Sequence, residues 1–546
     1  MPTIDDTINP AAGSAETAAT AEGSAPAGPY PGPYYHTGYK PPKREYRADR
    51  VDGAMALAIT VLGYLWWSWI WPRSGVPDID RFFLLYHPAV SVTAFFALAL
   101  TCSLIYFWYR KVHVMGPAIV GIGLIMALAL PFALYDTTPV HFFAGIALVV
   151  SYMTWHAYAS GTAVGRPMGG LTGADFLNQA WLVPINNLGV WFASLRALGR
   201  ENKKSNQWLF AVVGLIIGLP VIAAVMGLLM SSDAHFGDWM TRLSELFAQI
   251  DVWGFLWRLS LGLFIAVPLA GLLYGNTRRD GASSMSAEKV EGWGKRAHRV
   301  AKVAIATPIS VLCLMYLVFF VATGSSLFVA FTDRGPAFAY AEYARSGFFQ
   351  LVTVAAINLG VLAAARLFMK RDEGVYPRSA RVLGVVLSAQ TLLLVVTAIS
   401  KLLLYIDQFG LTRLRLYTVW FCGVLFVVFA LIAVWHVSRF AVGRPILIFM
   451  VIAFLGLLWA NTDALIARYN VHRYMSGQVQ TMDVAYLYEL SMASVPSLID
   501  LREQAPEQSV REWADDILKS RAKDRAEHPW TSWNWQLERK NQILGR

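Results

Sequence analysis

The sequence predicts an all-α, polytopic transmembrane helical bundle of about eleven spans, and three observations predict it. Hydrophobic residues make up 56% of the 546-residue chain and charged residues only 15%, where a soluble domain carries about a quarter. Apolar runs of roughly 18 to 24 residues recur along it, each long enough to cross a hydrocarbon core as helix. Lys and Arg gather in the short connections between those runs, which is the positive-inside bias of membrane helices. Continuous runs exclude a β-barrel, whose strands alternate. The net charge of +10 sits in those connections, so it points to the lipid bilayer as partner and not to nucleic acid.

Residues 1–50 begin with about forty residues rich in Ala, Gly, Pro, Ser and Thr, a composition that cannot bury enough apolar surface to fold. They read as a disordered tail, and no basic stretch followed by an apolar one marks a signal peptide. Lys40, Lys43, Arg44, Arg47 and Arg50 then place the N-terminus in the cytoplasm. The first span covers about Gly53 to Pro72 and ends on an interfacial belt of Trp66, Trp67, Trp69 and Trp71. Spans two to four cover about Pro88 to Tyr109, Met115 to Leu134 and Val140 to Ala157. His141 and His156 lack a partner at metal-ligand spacing and read as packed or interfacial side chains and not as ligands. Cys102, Cys313 and Cys422 each lie inside an apolar run, as buried thiols do.

The stretch LGVWFASLRALGR (188–200) has apolar residues at helical spacing and arginines at its end. It suits a helix on the cytoplasmic surface or a packed connector. Spans five and six, about Trp208 to Met230 and Val252 to Tyr274, complete an N-terminal half over 51–274 and flank an acidic, outward connection. The loop 275–302 is the most basic connection and belongs to the cytoplasm. Spans seven to eleven cover about Val303 to Val329, Phe348 to Phe368, Val382 to Tyr405, Leu416 to Val437 and Pro445 to Trp459, a C-terminal bundle over 303–462. An odd count and the charge bias put the C-terminus outside. Residues 463–546 form a small helical extramembrane segment. Its two amphipathic helices, Asp483 to Leu501 and Gln508 to Arg525, are interrupted at Pro496 and Pro506.

Three groups of polar residues converge at the external end of the C-terminal bundle. AEYARSGFFQL (341–351) supplies Glu342 and Arg345; KLLLYIDQFGLTRLRLY (401–417) supplies Lys401, Tyr405, Asp407, Arg413 and Arg415; WANTDALIARYN (459–470) supplies Asn461 and Asp463. Ionisable groups at such depth are costly and persist where they pair or function. One reading is a set of ion pairs that clamps helix ends and seats the C-terminal segment. The other is a pocket whose arginines receive an anionic small molecule or lipid headgroup. Asn358 and Gln390 are the clearest polar residues within spans and either bond between helices or line a path. No phosphate loop, zinc helix, nucleophile elbow or kinase signature occurs, so no catalytic residue, metal or cofactor is assigned.

YARSGFFQL, YIDQFGLTRLRLY, NTDALIARYN and DVAYLYELSMASVPSL, in that order and spacing, resemble a bacterial family of multi-pass membrane proteins catalogued as domain of unknown function 4173, related to 4153. The resemblance covers Tyr343 onwards; the N-terminal half is similar only in hydropathy. It implies a cell (inner) membrane protein and no established activity. Lys401 stands where the resemblance leads us to expect arginine, and His472, Ala493 and Ser494 also depart from its pattern. Three functions follow as expectations. The chain binds or transports a solute or envelope component, or it is a scaffold or sensor with a protein partner at the external segment. Alternatively it is a transferase on lipid-linked substrates.

Overall fold

Long apolar runs become long helices. The computed structural model describes residues 46–70, 89–114, 116–136, 138–198, 252–278, 287–324, 348–370, 377–438, 440–523 and 530–545, with scattered positions between 214 and 240 and residue 285. The predicted tail up to residue 45, most of the fifth span and its acidic connection, Glu342 and Arg345 lie outside the described residues. Among the described residues there is no strand, only an isolated bridge between Val300 and Met369.

Nine described helices are long and apolar enough to cross a membrane. They are α1 (Arg50–Ile70), α2 (Val90–Tyr109), α3 (Gly116–Leu134), α4 (Thr138–Ser160), α8 (Val252–Arg278), α10 (Lys302–Thr323), α11 (Phe348–Phe368), α12 (Arg378–Phe409) and α13 (Arg413–Ser438). Shorter helices α5 (Thr172–Leu177), α6 (Val183–Asn186) and α7 (Gly189–Leu198) precede α8, and α9 (Ala287–Ala297) follows it. The expected eleventh span is α14 (Gly443–Trp459), which breaks at Asn461 and bends by 61° into α15 (Thr462–Met475). Asn461 holds the break in the left-handed region at φ 45°, a conformation Asn tolerates better than most residues. The protein is a multi-pass helical membrane bundle.

Helices α1–α4, α7 and α8 bury one apolar core, and α10–α13 bury another. Gly63 of α1 and Gly262 of α8 meet backbone to backbone; a Cβ on Gly262 would lie 2.8 Å from the Gly63 carbonyl carbon. Small residues permit such close approach where lipid offers no hydrophobic drive between helices. Helix α14 joins the two bundles. Leu458 lies in the first core, Trp459 Nε1 donates to the Ala127 carbonyl at 2.9 Å, and Trp420 Nε1 donates to the Ala453 carbonyl at 3.1 Å.

Of the two readings of 188–200, the structure has the packed connector. Helices α5 and α6 flank a π-helical turn, Asn178–Leu182. This run passes the last turns of α8, where Asn276 Nδ2 donates to Gln179 Oε1 at 2.7 Å. The chain then returns as α7 along α1, where Trp191 Nε1 donates to Thr60 Oγ1 at 2.9 Å. Val190, Trp191, Ser194 and Ala197 are buried. In the second bundle the hydroxyl of Tyr316 donates to Asn358 Oδ1 at 2.8 Å, and Asn358 Nδ2 donates to Thr391 Oγ1 at 2.9 Å. Gln390 Nε2 donates to the Cys313 carbonyl at 2.9 Å. Both amides thus bond between helices.

The C-terminal segment folds as α16 (Val484–Glu489), α17 (Val495–Gln504), α18 (Gln508–Lys523) and α19 (Trp535–Leu544). The interruption expected at Pro496 falls just ahead of it, at a 3₁₀ turn, Met492–Ser494. Pro496 lies in the first turn of α17 and starts that helix, because its missing N–H is an orphan there anyway. These helices build a third core with the end of α12 and with α15.

Candidate functional site

Arg110 after α2 pairs with Asp49 before α1, which defines one end of the bundle, the near end. Val90 N at the start of α2 donates to the Trp533 carbonyl at 3.0 Å, so the C-terminal segment covers the opposite, far end. Polar side chains concentrate at both.

At the far end, the break before α15 aims Asp463 at the start of α13. Asp463 is fully buried and accepts a forked pair from Arg413, Nε at 2.8 Å and Nη2 at 2.5 Å. The same carboxylate accepts the Ser491 backbone N–H at 2.8 Å, and the Arg413 N–H donates to the Tyr486 hydroxyl at 2.8 Å. Among the described residues Arg415 reaches no carboxylate. Its Nη1 donates to the Phe409 and Gly410 carbonyls, at 2.9 and 2.5 Å, and its guanidinium lies 4.4 Å from the Tyr405 ring centroid. It therefore caps the end of α12. Gly410, at φ 75°, turns the chain there. Asp407 is exposed and pairs with Arg473 at 3.0 Å. Asn461 Oδ1 accepts from Gln536 Nε2 at 3.0 Å. Lys401 lies half-buried on α12, one turn before Tyr405.

Sequence reasoning missed three members of this end. Arg473 also donates to the Ile406 carbonyl at 3.2 Å. Asn470 brackets the turn by accepting from Leu411 N at 2.7 Å and donating to its carbonyl at 2.8 Å. Arg521 is buried among acceptors of the α16–α17 connection: the Leu487, Tyr488, Leu490 and Ser491 carbonyls and Ser494 Oγ, all at 2.8 to 3.2 Å. Burial brings its pKa down to about 10, the expected sense for a desolvated cation.

The near end holds a second polar centre. Asp52, fully buried, accepts from the Tyr106 hydroxyl at 2.7 Å and binds Arg110, while Arg278 approaches at 3.3 Å. One carboxylate thus ties α1, α2 and α8. The Arg110 guanidinium holds the neighbouring Asp49 carboxyl well below the usual range. Deeper in, Ser103 Oγ lies 2.9 Å from the Tyr152 hydroxyl and 3.1 Å from His156 Nε2, all three buried. His141 is buried too and stacks on Phe132, 4.5 Å between centroids.

Tyr152 also forms part of the wall of a cavity of about 350 Å³ between α2, α4 and α8. The remaining wall is apolar, including Phe96, Ala99, Gly145, Ile146, Pro268 and Leu272. Along α4 the lining runs from Phe142 to Met153, on the order of 16 Å at helical rise. That is about half of a hydrocarbon core. Phe142, Ile146 and Val149 share one face of α4 and are exposed, so the cavity opens on the apolar flank of the bundle. Among the described residues no cluster of His, Cys, Asp or Glu is arranged to hold a metal.

A family model described as Domain of unknown function (DUF4153) matches residues 95–501. The chain belongs to this family. The DUF4153 match starts inside α2, so family likeness reaches well into the N-terminal half, where hydropathy alone suggests it. It takes in Ser103, Tyr152, His156 and the Arg413–Asp463 fork, and it ends within α17. No match is found among curated proteins or solved structures.

Within the DUF4153 region, Asp175 of α5 is fully buried. It accepts from Val164 N at 2.6 Å and from the Tyr158 hydroxyl at 3.2 Å. Burial pushes its pKa up against those bonds. A carboxyl raised in the folded state stabilises below its unfolded pKa and loses that contribution as pH rises through the folded value. Asp175→Asn is therefore expected to gain stability relative to the parent as pH is raised from about 4 to 7. Parallel thermal melts across that range check the sign.

Proposed function

We propose that this protein binds a chain-bearing component of the envelope, such as a lipid, inside its N-terminal bundle. The observation that carries this is the apolar cavity opening on the bundle flank. Its length suits the acyl chain of one leaflet, and ligand sites are mostly apolar with few polar groups. Tyr152 lies in the cavity wall, and its hydroxyl is satisfied by Ser103, which also meets His156. The far-end arginines support a clamp better than an anion receptor, because Arg413, Arg415 and Arg473 already meet a carboxylate or carbonyls. In this reading the near end faces the cytoplasm of a bacterial inner membrane and the C-terminal segment lies outside. The basic connections on the near side support that orientation.

Filling the cavity tests the proposal. A Cβ on Gly145 meets no heavy atom within 4 Å, so Gly145→Phe can occupy the space without displacing the packed helices. We expect lipid retained through purification, counted by native mass spectrometry, to fall at least about fivefold, with the melting temperature held because the filled cavity offsets the stabilisation lost with the lipid. Equal retention by parent and variant, with both folded, would overturn it.

A further inference from the structure

The C-terminal segment carries an open groove of about 330 Å³ between α16 and α18, lined by Ala485, Tyr488, Trp513, Asp516 and Ile517. Tyr488 is 54% exposed and Trp513 59%. The rim is acidic. Glu489 follows Tyr488, Glu512 precedes Trp513, and both are exposed like Asp516. Asp515 is engaged by Lys519 at 2.6 Å, whereas Asp516 and Glu489 have no ion-pair partner among the described residues. Over 483–523 acids outnumber bases eight to five, in a chain whose net charge is +10.

The groove is also held rigid from below. Arg521 of α18 donates to the Tyr488 carbonyl at 3.2 Å and to the Leu490 carbonyl at 2.8 Å. The wall bearing Tyr488 is thereby fixed to the helix bearing Trp513. Aromatic faces attract Lys and Arg, fixed aromatic anchors are where binding energy concentrates, and preorganisation removes an ordering cost.

We infer that this groove is a docking site for a basic peptide segment of a partner protein. A Lys or Arg side chain lies against Trp513 and Tyr488 with its charge on Asp516. This goes beyond lipid binding in the N-terminal bundle and stands without it.

The test uses the full chain in nanodiscs of uncharged lipid, with labelled decalysine as probe and deca-glutamate as control. We expect decalysine to bind saturably, about tenfold more weakly to Trp513→Ala and about threefold more weakly to Asp516→Asn. Trp530→Ala, an exposed tryptophan outside the groove, should leave binding unchanged. Because Trp513 and Asp516 are exposed, both variants should melt with the parent, which separates lost binding from lost folding. Binding insensitive to Trp513→Ala, or matched by deca-glutamate or empty nanodiscs, overturns the inference. So does quenching of a bimane on Ala485→Cys by brominated lipid, which would place the groove on the bilayer.

Discussion

Arg521→Met is expected to loosen the C-terminal segment while leaving the membrane helices folded. The side chain is 5% exposed, and its guanidinium is the donor that reaches the Tyr488 and Leu490 carbonyls. A buried acceptor left unpaired costs about 1–3 kcal/mol. Removing a buried cation returns part of that, so the net loss should be about 3 kcal/mol, the sum of two such acceptors less the recovered desolvation. Methionine fills similar length, which keeps cavity formation small. Hydrogen exchange reads the result: amides of α16–α18 should exchange about a hundredfold faster, since about 1.4 kcal/mol is a tenfold change. Arg521→Lys should recover little, because one ammonium has three donors and Arg521 serves five acceptors.

The second large effect belongs to Asp463. Asp463→Ala removes the acceptor of the Arg413 fork and of the Ser491 N–H together. Breaking one side of a buried pair costs about 3–5 kcal/mol. The Arg413 side chain is 27% exposed, and water reaching the stranded cation favours the lower end, about 3 kcal/mol. Asp407→Ala is the contrast. Its carboxylate also pairs with an arginine but is 73% exposed, so the loss should stay below about 1 kcal/mol. Thermal melts in nanodiscs, with the Arg413→Ala/Asp463→Ala double variant, should show strong coupling at the buried pair. Equal losses for the two aspartates would contradict the clamp.

The fold was legible because lipid imposes a simple rule: backbone groups must bond within the segment, so apolar length reads as helix. The far-end cluster was legible for a related reason, since charges such as Asp407, Arg413 and Asp463 stand out where apolar runs end. Their pairing was less so. Arg413 finds Asp463, but Arg415 turns to carbonyls, because the Gly410 turn leaves the α12 C-terminus unsatisfied beside it. Arg473 and Arg521 were passed over because the polar C-terminal segment makes any single arginine look solvated. The near-end centre was hidden more thoroughly. Asp52 reads as one more flanking charge beside Arg50, and Ser103, Tyr152 and His156 are each one polar residue in a long apolar run. Only packing α2 against α4 brings them together. Pro496 marked the interruption in the segment but not its side, because proline both ends and begins helices, and here it begins one.

Photocrosslinking in intact membranes tests lipid binding in the N-terminal bundle most directly. A lipid with a diazirine along its acyl chain would be activated and the labelled peptides mapped by mass spectrometry. The account predicts labelling concentrated on cavity-lining residues of α4 and α8, Gly145 to Met153 and Phe264 to Leu272, and largely lost in Gly145→Phe. Labelling spread evenly over exposed faces such as Val311, Leu314 and Val318 of α10, and unchanged in Gly145→Phe, would contradict it.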